Sequence, residues 1–203
     1  EIVSRDWSSD VCSSDLDLFA AVSEHGADIG VAHDGDADRF LAVAEDGSFV
    51  DGDQILAILA SGRKAKQTLV GNTVVATVMS NLGFTIAMRE LEIDVVATAV
   101  GDRYVLEAMR EKGFTIGGEQ SGHVVLSEYA TTGDGILTAL HVMNEMKRTG
   151  KSLSELASIV TRLPQILVNV KNVDKLKVRN ETLSKAVSAA EAETLAKWIL
   201  ATK

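Results

Sequence analysis

The sequence predicts an α/β fold, in one large domain or parts of two or three. From Thr73 to Ile116, apolar runs of strand length alternate with amphipathic stretches of helix length, the rhythm of strands connected by helices. A further apolar run, Ala27 to Ala32, leads into an acidic cluster, the arrangement of a buried strand that leaves the core at a polar loop. Punctuating residues fall where these elements must stop: Gly26, Asp46-Gly47, Gly113 and Gly150.

Taken in order, residues 1–16 are rich in serine and aspartate, repeat Ser-Ser-Asp, hold no sustained helical or strand period, and are expected to lie outside the fold. Leu18, Phe19 and Val22 form a helical stripe ending at Gly26, and the strand into the acidic cluster follows. Leu41 and Val43, the turn Glu45-Asp46-Gly47-Ser48, and Phe49-Val50 predict a hairpin. Asp51 or Asp53 then caps a helix carrying Ile55, Leu56, Ile58 and Leu59.

The alternation that follows predicts strands over 73–78, 95–100 and 114–116 and helices over 82–91 and 104–112, with Val124, Val125 and Leu126 forming a strand across a turn from Ile116. Ile136, Leu137, Leu140, Met143 and Met146 define an amphipathic helix, and Leu153, Leu156, Ile159 and Val160 a shorter one. After Pro164 a strand over 165–170 and a helix through Leu183, Val187, Ala190 and Leu195 open a new unit, too small to bury a core of its own.

The chemistry concentrates in His33-Asp34-Gly35-Asp36-Ala37-Asp38-Arg39. Extended backbone would point Asp34, Asp36 and Asp38 the same way, and three such close carboxylates repel unless a cation sits among them. Mg²⁺, a hard ion that keeps positions open for water or phosphate, suits this set and phosphoryl transfer; Gly35 would let the backbone bend and Arg39 would offer a fork to phosphate. The same residues can be counted as a calcium loop, with Glu45 at its twelfth position, but Arg39 stands where that loop needs glycine and the flanks read as strands. A solvated acidic turn is the plainer alternative.

Three further loops stand where strands hand over to helices. Ser80-Asn81 reads more readily as a helix cap than as a substrate contact, and Gly101-Asp102-Arg103 starts a helix where amides and an arginine would suit a sugar phosphate. In Gly117-Gly118-Glu119-Gln120-Ser121-Gly122-His123 the glycines permit close backbone approach, and Glu119 and Ser121 would present oxygens to vicinal hydroxyls; a solvated hairpin with a satisfied strand histidine is equally open. Thr131 to Gly135 reads as capping and loop structure.

The 203 residues carry a formal charge of −9 and are 46% hydrophobic, enough for a core but the wrong sign for a nucleic-acid surface. The single cysteine, Cys12, excludes an intramolecular disulfide, and neither a membrane-spanning run nor an export leader is visible, so no membrane partner and a cytoplasmic location are expected. Oligomeric state is not legible.

The segments GVAHDGDADR, VDGDQIL, VMSNLG, VGDRYV, GGEQSGHV and TTGDG, in this order, closely resemble the bacterial phosphoglucosamine mutases of the α-D-phosphohexomutase superfamily, over about Asp17 to Glu191. The resemblance implies mixed-sheet α/β domains of the phosphohexomutase type: residues 17–50 ending a second domain with the metal loop, 51–163 a third domain with the sugar loop, and 164–203 opening a fourth, with 1–16 a non-family segment. It implies interconversion of glucosamine 6-phosphate and glucosamine 1-phosphate through a phosphoserine and a 1,6-bisphosphate, on the route to UDP-N-acetylglucosamine. By motif, Asp34, Asp36 and Asp38 would hold Mg²⁺ near Arg39, Glu119 and Ser121 would bind sugar hydroxyls, and Gly101, Asp102 and Arg103 would line the cleft. His123 and Asp102 are the candidates for general acid and base. The family's Ser-His-Asn-Pro type loop and its Arg-x-Ser-Gly-Thr-Glu-Pro loop are not found, so the chain is expected to be a fragment without turnover, with exposed apolar surface and sheet edge around 17–50 and poor solubility. A phosphomannomutase or phosphoglucomutase parent and a non-catalytic Mg²⁺ or sugar-phosphate binding module are the alternatives.

Overall fold

The computed structural model describes residues 2–7 and 11–165, and Glu1–Pro164 group into one compact unit. The strand and helix expected beyond Pro164 lie outside the described residues.

Two four-stranded sheets sandwich a layer of helices. The first runs β1 (Ile2–Trp7), β2 (Ile29–Asp34), β3 (Leu41–Ala44), β4 (Phe49–Val50). β1 is parallel to β2, with Ile2 opposite Ile29 and Trp7 opposite Asp34; the β2–β3 and β3–β4 pairs are antiparallel. The second sheet has the order β6 (Asp94–Thr98), β5 (Thr73–Thr77), β7 (Ile116–Gly118), β8 (Val124–Leu126), with β6 and β7 parallel to β5 and β8 antiparallel to β7. Both sheets are mixed, as predicted.

Period-two alternation assigns each strand's faces. Ile29, Val31, Ala42, Ala44 and Val50 of the first sheet, and Val74, Ala76, Ile116, Val124 and Leu126 of the second, enter one continuous core. On the outer faces, Ala32 and Val43 pack with Leu18 and Val22 of α1 (Val11–His25), while Val75 and Val125 pack with Val105 and Met109 of α4 (Asp102–Lys112). Filling the middle are α2 (Gly52–Ala65), α3 (Leu82–Glu90), α5 (Gly135–Thr149) and α6 (Leu153–Ala157). Every residue of α2 from Gly52 to Ala60 is buried, because this helix meets core on all sides.

The caps follow the sequence. Asp51 accepts from the Gln54 amide while the Gln54 side chain returns to the Asp51 amide, and Asn81, Asp134 and Ser152 cap α3, α5 and α6. Gly113 and Gly150 close α4 and α5 in the left-handed conformation.

Four expectations are corrected. Residues 2–7 and 11–16 are not outside regular structure: β1 pairs along the β2 edge and α1 begins at Val11, before the apolar stripe. Pairing uses backbone groups that every residue carries, so a neighbouring strand can impose extension on a segment without pattern. β2 consequently has no open edge, so the sheet edge within 17–50 is the two-residue β4 alone, and the large exposed apolar residues among those described lie elsewhere, Val78, Leu82, Val100 and Tyr104 among them, with none between 17 and 50. β6 stops at Thr98, short of Val100. Finally, β7 begins at Ile116 and includes Gly117 and Gly118, which the sequence placed in a loop; a Cβ on Gly117 would lie 2.8 Å from both Met109 Sδ and Val105 Cγ1, so glycine here serves helix-on-sheet packing.

A Leu56→Ala substitution in the fully buried α2 is expected to cost about 2–5 kcal/mol. Because α2 belongs to the core shared by both sheets, urea denaturation followed in the far and near ultraviolet should shift as one transition. Loss of the two sheets in separate steps would contradict a common core.

Candidate functional site

Asp34 is the last residue of β2, and the chain turns immediately after it. The Ala37 amide donates to the Asp34 carbonyl at 3.0 Å, and Ala37 itself takes φ +56°. Asp34, Asp36 and Asp38 can each bring a carboxylate oxygen within 4.8 Å of the others. The sequence expected this convergence from extended alternation with the bend at Gly35; a turn produces it, and the positive φ falls on Ala37.

Arg39 closes the loop back on its start. Its amide donates to Asp34 Oδ1 at 3.2 Å, and its Nε lies 3.4 Å from Asp34 Oδ2 and 3.7 Å from Asp38 Oδ1. Burial, followed by the Asp34 carboxyl beside it, raises the Asp38 pKa above the ordinary carboxylate range; Asp36 adds to this and His123 opposes it. Asp38 Oδ1 has no hydrogen-bond partner among the described residues. An orphaned, crowded carboxylate beside two others is the environment a hard divalent cation relieves, so these residues fit Mg²⁺.

Two other loops hold this one by direct backbone approach. Arg39 and His123 form an antiparallel bridge, and the Phe40 amide donates to the Gly122 carbonyl at 3.1 Å. Gly122 has φ +93°, and a Cβ there would fall 2.4 Å from the Phe40 carbonyl oxygen. From the other side the Gly135 amide donates to the Ala37 carbonyl at 2.8 Å, and a Cβ on Gly135 would lie 2.2 Å from the Arg39 carbonyl oxygen. His33 Nδ1 stands 2.9 Å from that same oxygen. The sequence placed His33 in the acidic motif and Gly135 in a capping loop, but gave neither a part in holding the carboxylate loop. The Gly-Asp-Gly text after Thr132 signalled only the cap that Asp134 does supply.

His123 is neither an exposed acid–base group nor a satisfied strand histidine. It is 4% exposed, neither ring nitrogen has a hydrogen bond among the described residues, and Nε2 lies 3.6 Å from Asp38 Oδ2. Glu119 to Gly122 make a turn, closed by the Gly122 amide on the Glu119 carbonyl at 3.0 Å, rather than the extended stretch that would set Glu119 and Ser121 side by side. The Glu119 carboxylate reaches across to accept from the Gly101 amide at 2.9 Å, tying this loop to the start of α4. Ser121 is half-buried. The Gly52 amide donates to the Gln120 carbonyl at 3.0 Å, so α2 begins against the same turn.

Asp102 and Arg103 sit exposed on the first turn of α4. The Asp102 carboxylate accepts from the Arg103 amide at 2.6 Å, and Arg103 pairs with Glu107 along the helix at 2.8 Å. The structure thus brings together Asp34, Asp36, Asp38, Arg39 and His123, and separately Gly101 with Glu119. It gives Asp102 and Arg103 no contact with the carboxylates. The C-terminal ends of the parallel strands β5, β6 and β7 carry the Ser80, Gly101 and Glu119 loops at one end of their sheet, the usual position for chemistry in α/β proteins.

The fold and this cluster define a class: an α/β/α protein with a cation-ready carboxylate loop clasped against a turn at the strand ends. Residues 51–163 match the family described as "Phosphoglucomutase/phosphomannomutase, alpha/beta/alpha domain III". The chain belongs to the phosphoglucomutase/phosphomannomutase family. It is 63% identical over 178 residues to a phosphoglucosamine mutase of a Nocardioides species, covering 88% of this chain and 40% of that protein. A phosphoglucomutase/phosphomannomutase family protein from Burkholderia thailandensis superposes with a TM-score of 0.66 at 25% identity, over 81% of this chain and 36% of its own. The Aspergillus fumigatus N-acetylphosphoglucosamine mutase in complex with GlcNAc-6P and magnesium superposes with a TM-score of 0.54 at 25% identity, over 67% and 33% respectively. The chain therefore spans about 40% of the length of the curated relative it matches.

Beside the site, Asp53 of α2 is 1% exposed; its Oδ2 accepts from the Asn81 amide at 2.6 Å, while Oδ1 has no partner among the described residues. Burial, outweighing the Asn81 and Ser80 contacts, lifts its pKa from 3.8 to about 6. A carboxyl whose pKa is higher folded than unfolded imposes no cost below pH 4, where both states are protonated. Its cost grows between pH 4 and 6 and levels off above, on the order of 3 kcal/mol at 1.36 kcal/mol per pKa unit. Asp53→Asn, which keeps an oxygen for the Asn81 amide, should therefore flatten the decline of urea stability between pH 4 and 6.5. Parallel profiles for the two proteins would refute an ionisation cost at Asp53.

Proposed function

We propose that this chain supplies the metal loop and the sugar-facing turn of a phosphoglucosamine mutase, an isomerase that interconverts glucosamine 6-phosphate and glucosamine 1-phosphate. The single observation carrying the reading is the convergence of Asp34, Asp36 and Asp38 within 4.8 Å in a loop bonded to the turn that holds Glu119 and His123. The 63% identity to a curated phosphoglucosamine mutase supports the choice of sugar.

Phosphoryl transfer asks a protein mainly to position its reactants and to neutralise oxygen charge. In this reading Asp34, Asp36 and Asp38 hold Mg²⁺, which when bound supplies the positive charge that draws a phosphoryl oxygen. Arg39, turned onto Asp34 and Asp38 and about half exposed, would be available to offer its guanidinium to the phosphate if Mg²⁺ held those carboxylates. Glu119, fixed by the Gly101 amide, and Ser121 accept from and donate to sugar hydroxyls. Asp102 and Arg103 stand at the cleft rim. His123 is buried against Asp38 and acts by holding that carboxylate in place rather than by exchanging protons with sugar. A cytoplasmic location accords with a phosphosugar substrate, and among the described residues no helix is long and apolar enough to cross a membrane.

The test is to read the genomic locus across both ends of this chain and assay its complete product for conversion of glucosamine 6-phosphate, with glucose and mannose 6-phosphates alongside. Asp36→Asn is expected to lower kcat by about a hundredfold or more. In the present chain it should weaken Mg²⁺ binding at least about tenfold by calorimetry. Mg²⁺ binding without turnover by the complete product would replace the mutase reading with a binding module.

A further inference from the structure

At the other ends of α2 and α5 a second polar cavity opens. The helices begin at the carboxylate and Glu119 loops. Arg63 stands eleven residues beyond Gly52 and His141 six beyond Gly135, about 16 and 9 Å along the helix axes at 1.5 Å per residue. The cavity, about 240 Å³, is lined by Arg63, Lys66, Glu128, Tyr129, His141 and Glu145 among others, none of which takes part in the site described above.

Its charges are arranged unevenly. Glu145, 4% exposed, is fully engaged: Lys66 pairs with Oε1, and Arg148 donates to Oε2 through Nε at 2.8 Å and Nη2 at 2.6 Å. Arg63, 8% exposed, meets Glu128 through Nη1 alone at 2.5 Å, which leaves Nε and Nη2 without a hydrogen bond among the described residues. The Glu128 side chain itself is 42% exposed. The lining itself sets two cations, Arg63 and Lys66, against two carboxylates, and Arg148, outside the lining, takes up one of those carboxylates, Glu145. His141, its ring packed 4.9 Å from that of Tyr129, lies in the same positive field: burial, then Arg63 and Lys66, hold it below the ordinary imidazole range, against smaller opposing effects of Glu128 and Glu145. A neutral imidazole keeps one N–H to donate.

We propose that this cavity binds a small doubly charged oxyanion, a phosphate group, gripped by the free edge of the Arg63 guanidinium with Lys66 and the His141 N–H completing the cradle. A guanidinium edge matches two phosphate oxygens, and at about 30 Å³ per water the cavity holds a phosphate with several waters. Glu128 gives way as the anion arrives, since it is the carboxylate already in contact with solvent.

The chain contains four histidines, so the imidazole resonances can be followed individually while inorganic phosphate is added. The His141 signal is expected to move in a saturable way, with a midpoint in the millimolar range or tighter. Arg63→Lys, which keeps the charge and loses the fork, should raise that midpoint at least fivefold. Lys66→Met, which leaves Arg148 on Glu145, should raise it several-fold and guards against misfolding of the first variant. An equal shift with sodium chloride at matched ionic strength, or no saturation, overturns the proposal. So does a midpoint that responds to Arg39→Gln and not to Arg63→Lys, because the phosphate would then occupy the carboxylate loop.

Discussion

Three carboxylates cannot be crowded together unless the backbone that carries them is held, and here it is held by other backbone. The loop from Asp34 to Arg39 is gripped on one side by Gly122 and His123 and on the other by the amide of Gly135, at distances that leave no room for a Cβ. Side chains could be retuned at such a junction, but the main-chain contacts permit few alternatives. The repulsion stored among Asp34, Asp36 and Asp38 is therefore not relieved by loop movement, and it is left for a cation or a proton to relieve. Burial first, and then the Asp34 carboxyl beside it, raise the Asp38 pKa in this held loop.

The same junction explains why α2 and α5 are placed as they are. The first begins against the Glu119 turn and the second against the carboxylate loop, and both then run between the sheets, so the residues that shape the site are the first residues of the central core helices. Asp51 and Asp134 cap these helices, which leaves the remaining terminal amides aligned with backbone carbonyls of the neighbouring loops. Rigidity at the site is inherited from burial of the helices behind it.

Much of this was legible in the sequence, because periodicity, caps and acidic spacing are local signals. Ile29 and Val31 against Ala32, and Val74 and Ala76 against Val75, face opposite layers as strand alternation requires. The carboxylate trio was visible as spacing, though its turn was not, since a positive φ at Ala37 depends on the bond from its amide to Asp34 rather than on residue type. What escaped notice depended on contacts no local pattern shows: β1, whose pairing with β2 has no pattern of its own; the convergence of His33 and Gly135 on the Arg39 carbonyl; and Arg63 with His141, seventy-eight positions apart, whose shared cavity no local window contains.

The core that runs from Ile29 through α2 to Leu126 has an implication for recombination. Residues 50 and 51 mark the start of the family match and look like a natural seam. In three dimensions the seam passes through the middle of one packed interior. A chimaera joined there would set Ala42, Ala44 and Val50 from one parent against Ile55, Leu56 and Leu59 from another, so the two parents must have co-evolved the same interior shape for the hybrid to hold its carboxylates in register. Moving the joint does not spare that interior: one in the exposed Gln67 turn would part α2 from α3, α5 and α6, and one at Gly150 would part Leu153 and Ala157 from the same core.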